Sequence, residues 1–340
     1  MRWDIGIDLG TENIRMTETG HAALDAPALL AFREGREAPF AAGGAAHALL
    51  GRACAGVTVV APLKDGVLEN NMYAERLLRW TLQQQTEARR PRRLAVLLTQ
   101  APHARPVQQE ALLRAALDAG ASDAALIRSD VAAALGGGLN ILAPEGKLLV
   151  DVGAGSMTAS LFTMGRLAAS GTLPFGLNRI DESLVHTLRM EEGFLIGLRT
   201  AAELKQMLGS ALPPAEGSAP MKVAGINLRK RQPELRAVAP ELVWRACDGL
   251  VRELITLVMS VLQEAPEALT ADLSDAGMLL AGGGALLSGL DKRLGDAIGI
   301  ACRREEAPAA SAVQGLAIYM DHTELYEDRF EWALSPVARR

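Results

Sequence analysis

Aromatic residues are scarce: Phe, Trp and Tyr make up 4% of the 340 residues, while 49% of the chain is hydrophobic. A core of that composition is built from Ala, Leu, Val and Ile, and a chain this long is expected to divide it between two domains. Cysteine is scarce too. Cys54, Cys247 and Cys302 are odd in number, widely spaced and set among apolar neighbours. That pattern argues against a disulfide framework and predicts buried, reduced thiols. No apolar run approaches the length of a membrane span. A formal net charge of −5 gives no general attraction to nucleic acid. Low-complexity segments are missing, and Met1 leads straight into strand-like sequence, so no signal peptide is expected. These absences predict a soluble, cytoplasmic protein.

What the chain does have is a distinctive start. Trp3, Ile5 and Ile7 alternate with polar or small residues and read as a strand with one buried face. Asp8-Leu9-Gly10-Thr11 then turns, and Ile14 and Met16 begin a returning strand. The glycine lets backbone N–H groups approach a ligand closely. A carboxylate at the tip of a buried strand, beside free N–H donors and a hydroxyl, suits a phosphate and its Mg²⁺. The carboxylate holds that ion through water, because Mg²⁺ keeps much of its hydration shell. One such turn is weak evidence. The design recurs, however: Lys147-Leu148-Leu149-Val150 leads to Asp151, then Gly153-Ala154-Gly155-Ser156, and Ala159-Ser160-Leu161-Phe162 returns. Two matched hairpins imply two similar lobes facing each other across a nucleotide. A third glycine run, Gly282-Gly283-Gly284, follows the apolar strand Met278-Leu279-Leu280-Ala281 and lets the backbone lie flat against a base or ribose.

Between these motifs the chain alternates strands and helices. Residues 27–32, 57–60 and 94–98 read as strands, and the uninterrupted apolar run of the last predicts a sheet covered on both faces. Helices are expected over 43–52, over 72–85, and from Pro106 to Gly120. Ser129 or Asp130 is expected to cap an Ala-rich helix that ends in Gly136-Gly137-Gly138. The basic run Arg89-Arg90-Pro91-Arg92-Arg93 reads as a solvated loop, with contact to acidic lipid as the minority alternative. Residues 179–239 are richer in charge and read as an inserted subdomain, and a long helix opens at Pro240. Mixed α/β architecture follows from this order.

Asp-hairpin, Asp-hairpin and strand-then-triple-glycine, in that order, resemble the actin-like ATPase superfamily. Within it the chain resembles the MreB family of bacterial actins over nearly its whole length. The stretches that carry the likeness are 4–13, Leu49-Leu50-Gly51-Arg52, Pro62-Leu63-Lys64-Asp65-Gly66-Val67, Gly197-Leu198-Arg199-Thr200-Ala201 and Gly282-Gly283-Gly284-Ala285-Leu286-Leu287-Ser288-Gly289-Leu290-Asp291. The resemblance implies an α/β actin-like fold: two lobes of ribonuclease H-like mixed sheet, each with a smaller subdomain, and ATP or ADP with Mg²⁺ in the cleft. It implies subdomain IA over 1–30, 66–143 and 318–340, IB over 31–65, IIA over 144–178 and 240–317, and IIB over 179–239. It also implies head-to-tail filaments on the inner face of the membrane, acting with membrane-embedded cell-shape proteins. Asp8, Gly10, Thr11, Glu12 and Asn13 would lie at the phosphates and metal. Asp151, Gly153, Ala154, Gly155 and Ser156 would face them. Glu203 and Lys205 match a nucleotide-facing helix and would reach the ribose, unless they form only an exposed polar face. Gly282, Gly283, Gly284 and Ala285 would border the adenosine.

The departures from the family are as informative. Its usual Asp-Ile-Gly-Gly-Gly-Thr-Thr-Glu is here Asp151-Val152-Gly153-Ala154-Gly155-Ser156-Met157-Thr158. The family's Glu-Glu-Pro, whose glutamate before the proline orients the attacking water, is replaced by Arg128-Ser129-Asp130. Its Gly-Gly-Asp-Glu is Gly176-Leu177-Asn178-Arg179, and neither an N-terminal amphipathic helix nor an apolar pair in the 89–93 loop is visible. Ser129 lacks a carboxylate, so hydrolysis is expected to be slow, with Asp130 as the substitute candidate. Two other functions stay open: a non-hydrolysing paralogue that regulates other filaments, and a kinase of the same superfamily, for which no acceptor-directed Asp base is found. A chaperone is not expected, because no substrate domain follows the triple glycine.

Overall fold

A computed structural model describes residues 3–18, 21–84 and 94–326. The first lobe opens with β1 (Ile5–Leu9), β2 (Asn13–Glu18) and β3 (His21–Pro27). A small sheet follows, made of β4 (Leu30–Arg33), β5 (Ala41–Ala42) and β6 (Val57–Val60), with α1 (Gly44–His47) between its second and third strands. The hairpin β7 (Leu63–Lys64) and β8 (Val67–Leu68) leads into α2 (Asn71–Gln83). Then come β9 (Ala95–Gln100), α3 (Pro106–Ala119), β10 (Asp123–Arg128) and α4 (Ser129–Gly136). The main sheet has the order β10-β9-β1-β2-β3, with β9 and β10 parallel to β1 and the rest an antiparallel meander.

The second lobe repeats this plan. Its strands β11 (Lys147–Val152), β12 (Met157–Thr163) and β13 (Arg166–Leu173) form the meander. After α5 (Asn178–Glu192), β14 (Phe194–Leu195) and α6 (Leu198–Leu208), the hairpin β15 (Met221–Asn227) and β16 (Gln232–Val238) completes a separate three-stranded sheet. Helices α7 (Pro240–Glu264) and α8 (Glu267–Ala276) return the chain to β17 (Met278–Ala281). Next are α9 (Leu290–Ile298), β18 (Cys302–Arg304) and α10 (Ser311–Asp321). The sheet order β13-β12-β11-β17-β18 matches the first lobe strand for strand, with β17 and β18 parallel to β11.

Each lobe has its own apolar core, and a third cluster joins them. Val131, Ala132 and Leu135 of α4 and Leu316 and Tyr319 of α10 pack there between Leu97 and Ile127 of one sheet and Leu149 and Leu279 of the other. The two helices cross closely because glycines face backbone at the crossing. A Cβ at Gly136 would lie 1.8 Å from Ser311 O, and one at Gly315 would lie 1.7 Å from Ala132 O. No side chain larger than hydrogen fits either place.

Several sequence expectations are corrected. The strand read over 27–32 is two strands, since the backbone bends at Ala28 and Leu29 between β3 and β4. The helix expected over 43–52 is only one turn long, Gly44–His47. α4 begins at Ser129 itself, so Ser129 is not its cap: Arg128 holds the N-cap position, and no side chain caps the helix. Of the three cysteines only Cys247 is buried; Cys54 is exposed and Cys302 partly so. The basic run at 89–93 lies outside the described residues.

Candidate functional site

The carboxyl ends of β1 and β11 carry the two hairpins to opposite walls of one cleft of about 160 Å³. The turns are built alike. Gly10 N donates to Asn13 O at 3.0 Å, and Gly153 N donates to Ser156 O at 2.8 Å. A Cβ at either glycine would press on the same carbonyl, at 2.7 Å and 2.9 Å respectively. The hairpins also meet. A Cβ at Gly155 would come within 2.2 Å of Thr11 Oγ1 and 2.6 Å of Gly66 N, and Gly66 N donates to Thr11 Oγ1 at 3.1 Å. Gly66 belongs to the tight β7–β8 turn and has a φ of +79°, in the left-handed region that favours glycine.

The two aspartates sit in different surroundings. Asp8 accepts a hydrogen bond from Thr99 Oγ1 at 2.7 Å, and Thr99 Oγ1 also accepts from Leu9 N. Burial raises the Asp8 pKa, while the Thr99 bond and the Arg15 guanidinium pull it down. Asp151 is pushed up to about 7, first by burial and then by the charges of Asp8, Asp130 and Glu305. No cation offsets it among these causes. Two carboxylates that repel each other across the cleft are a donor set that fits a hydrated Mg²⁺. Among the described residues no group of three or more His, Cys, Asp or Glu side chains converges to hold a metal directly.

Of the residues singled out in the sequence, Asp8, Gly10, Thr11, Glu12, Asn13, Ser129, Asp151, Gly153, Ala154, Gly155, Ser156, Gly282 and Gly283 all line the cleft. Gly284 and Ala285 do not; they are buried behind it, and a Cβ at Gly284 would lie 2.4 Å from Val152 Cγ1. Glu203 and Lys205 are not brought to the cleft either. Lys205 Nζ donates to Asp181 Oδ2 at 2.8 Å and to Leu177 O at 3.2 Å, tying α6 to α5, while Glu203 pairs with Arg199 on the helix surface.

Asp130 is the clearest correction. It is fully buried, takes Arg128 Nε at 3.0 Å and Arg128 Nη2 at 2.6 Å, and accepts from Ser160 Oγ at 2.6 Å. As the second residue of α4 it points between the lobes, not into the cleft, so it is no stand-in for a water-orienting glutamate. The sequence reading missed Thr99, Gln100, Gly66 and Ser311, which also line the cleft. A polar pair ending the apolar run 94–98 was the only available signal for the first two.

A family model described as MreB/Mbl protein matches residues 2–328. This chain belongs to the MreB/Mbl family. Cell shape-determining protein MreB of Escherichia coli (strain K12) is 31% identical to it over 319 residues, covering 92% of this chain and 91% of that one. Cell shape-determining protein Mbl of Bacillus subtilis (strain 168) is 27% identical over 322 residues, covering 94% and 96%. Among solved structures, MreB5 of Spiroplasma citri bound to ADP superposes with a TM-score of 0.88 at 25% identity, covering 95% of this chain and 97% of that one. A MamK double helical filament matches at a TM-score of 0.77 and 18% identity, covering 94% and 98%. The actin-like two-lobe fold of this MreB/Mbl-family chain is therefore shared across distant sequences. Among the described residues, no helix is long and apolar enough to cross a membrane.

Proposed function

We propose that this chain binds ATP or ADP with Mg²⁺ between its two hairpins and works as an actin-like cell-shape protein that assembles head to tail. The observation that carries the reading is the contact of Gly155 with Thr11 and Gly66, which sets two phosphate-shaped turns against one gap. The relatives named for cell-shape determination and the neighbour structures with ADP and AMPPNP support it.

Backbone N–H groups of 11–13 and 154–156 would take the phosphates, those of Gly10 and Gly153 being used to close the turns, with Asp8 and Asp151 on either side of the metal's water shell. When bound, Mg²⁺ neutralises phosphate charge. The chain's own groups hold the geometry: Thr99 orients Asp8, and Thr11 ties the first hairpin to the β7–β8 turn. The small sheet of β4 to β6 and the sheet of β14 to β16 support a four-subdomain division at 1–30, 66–143 and 318–340; 31–65; 144–178 and 240–317; and 179–239. Head-to-tail contacts give open filaments, since heterologous interfaces do not close. Action beside membrane-embedded cell-shape partners, at the inner face of the cytoplasmic membrane, is part of the same reading. Hydrolysis is slow on this reading, because Ser129 offers a short hydroxyl where relatives carry a carboxylate.

The test is calorimetric titration with AMPPNP, with and without Mg²⁺, beside sedimentation and negative-stain microscopy. Mg²⁺-dependent binding and Mg-nucleotide-dependent filaments are expected. Equal affinity without Mg²⁺ removes the site, and a protein that binds yet stays monomeric at high concentration is a regulator.

A further inference from the structure

Gln100 is the last residue of β9 and lies in register with Arg128, one residue before Ser129. It lines the cleft together with Ser129 and with Thr99, the hydrogen-bond donor to Asp8. Its Oε1 is shut away from solvent and has no hydrogen-bond partner among the described residues. Native proteins seldom leave a buried amide oxygen unpaired, so such a group calls for an explanation.

Three neighbouring polar side chains are already engaged. Thr99 is held by Asp8 and Leu9 N, Asp130 by Arg128 and Ser160, and Gln109 by Ala104 O. Beside Gln100 lies a second, small cavity of about 20 Å³, lined by Leu9, Leu63, Leu68 and Leu112 together with Gln108 and Gln109, and shared with the cleft through Thr99 and Gln100. That is room for one water. A water held there needs polar partners, and Gln100 is placed to be one.

We propose that Gln100 orients the water that attacks the terminal phosphate, with the Ser129 hydroxyl as its second contact. This rests on the nucleotide reading above. The carboxamide oxygen accepts an O–H from the water and leaves its lone pair facing phosphorus; it takes no proton. The water oxygen forms the new P–O bond while the bridging P–O bond breaks with its electron pair staying on the diphosphate. The water's displaced proton passes to an oxygen of the released phosphate. Positioning by a neutral amide is a known way to run this chemistry, and slower than a carboxylate that shares the developing charge.

The experiment uses the full chain as wild type, Gln100→Ala, Gln100→Glu and Ser129→Ala. It measures affinity for Mg-AMPPNP, affinity for Mg-ADP with aluminium fluoride, single-turnover ATP cleavage and thermal stability. Gln100→Ala is expected to lower cleavage about 100-fold and to weaken the aluminium fluoride complex in step, with Mg-AMPPNP binding and the melting temperature held or raised. Truncating a group with no partner should not destabilise the fold. Gln100→Glu is expected to cleave faster than wild type, with a rate that falls as its carboxylate is protonated. Equal loss of both complexes, or a lower melting temperature with both losses, would make Gln100 a structural residue and overturn the proposal. So would a wild type that binds Mg-AMPPNP but gains no affinity from aluminium fluoride. Failure of the wild type to bind Mg-AMPPNP removes the nucleotide site itself, and the proposal with it.

Discussion

Opposite Asp8 across the first hairpin stands Arg15; opposite Asp151 across the second stands Thr158. Arg15 reaches Asp25 at 3.1 Å and lowers the Asp8 pKa, whereas Thr158 pairs with the Thr172 hydroxyl and brings no charge. The turn geometry is shared to a few tenths of an ångström, yet one carboxylate has an internal counter-charge and the other has only like charges around it. Backbone repetition thus makes the cradle, and side-chain divergence leaves Asp151 without the counter-charge that Asp8 has.

The largest effect is on the stability of the ligand-free, metal-free protein. Asp151 has a folded pKa of about 7 against an ordinary value of 3.8. Between these values the folded state keeps a proton that the unfolded state releases, so stability falls as pH rises through this window. At about 1.4 kcal/mol per pKa unit the fall amounts to a few kcal/mol. Denaturant unfolding at a series of pH values is expected to show this slope. Asp151→Asn should flatten it and stabilise the protein above neutrality. Asp8→Asn should change it less, since Thr99 and Arg15 already offset part of the burial cost. Identical slopes in the two variants would abolish the asymmetry.

Next in size is nucleotide affinity. Asp8→Asn and Asp151→Asn are each expected to weaken Mg-nucleotide binding about 10- to 100-fold, the usual cost of losing a group that acts on a metal through its shell. If both act on one ion, the double variant should lose less than the product of the single losses. Full additivity in calorimetry would mean that the carboxylates do not share an ion.

The hairpins were legible in the sequence because Asp, Gly and a hydroxyl must occupy fixed places when a strand turns back around a phosphate. The two-lobe fold followed from finding them twice. Which polar residue on a helix faces the cleft was not legible. Glu203 and Lys205 lie on α6, and only the packing against α5 shows Lys205 turned to Asp181. Asp130 and Ser129 differ by one residue at a helix start, which rotates the side chain by about 100°; this buries one and leaves the other in the cleft. Gln100 ends a strand with no motif around it, and its unpaired oxygen exists only in three dimensions.

The smallest effect is the most direct probe of the comparison. Arg15→Thr gives the first hairpin the residue type of the second at the matching register position. The lost Arg15–Asp25 pair is half solvent-facing, because Asp25 is 62% exposed, so it contributes about 1 kcal/mol at most to stability. Asp8, however, loses the positive charge that lowers its pKa and keeps the burial that raises it. Both carboxylates then depend on an external cation. The expected result is a shift of the half-saturating Mg²⁺ concentration for nucleotide binding upward by several-fold, diminishing with added salt because the Arg15 field is partly screened. Arg15→Lys should restore most of the wild-type value, since it returns the charge without the guanidinium fork. If Arg15→Thr leaves the Mg²⁺ requirement where it was and Arg15→Lys behaves the same way, the counter-charge of the first hairpin has no bearing on the metal. The two lobes would then be electrostatically equivalent at the site despite their different neighbours.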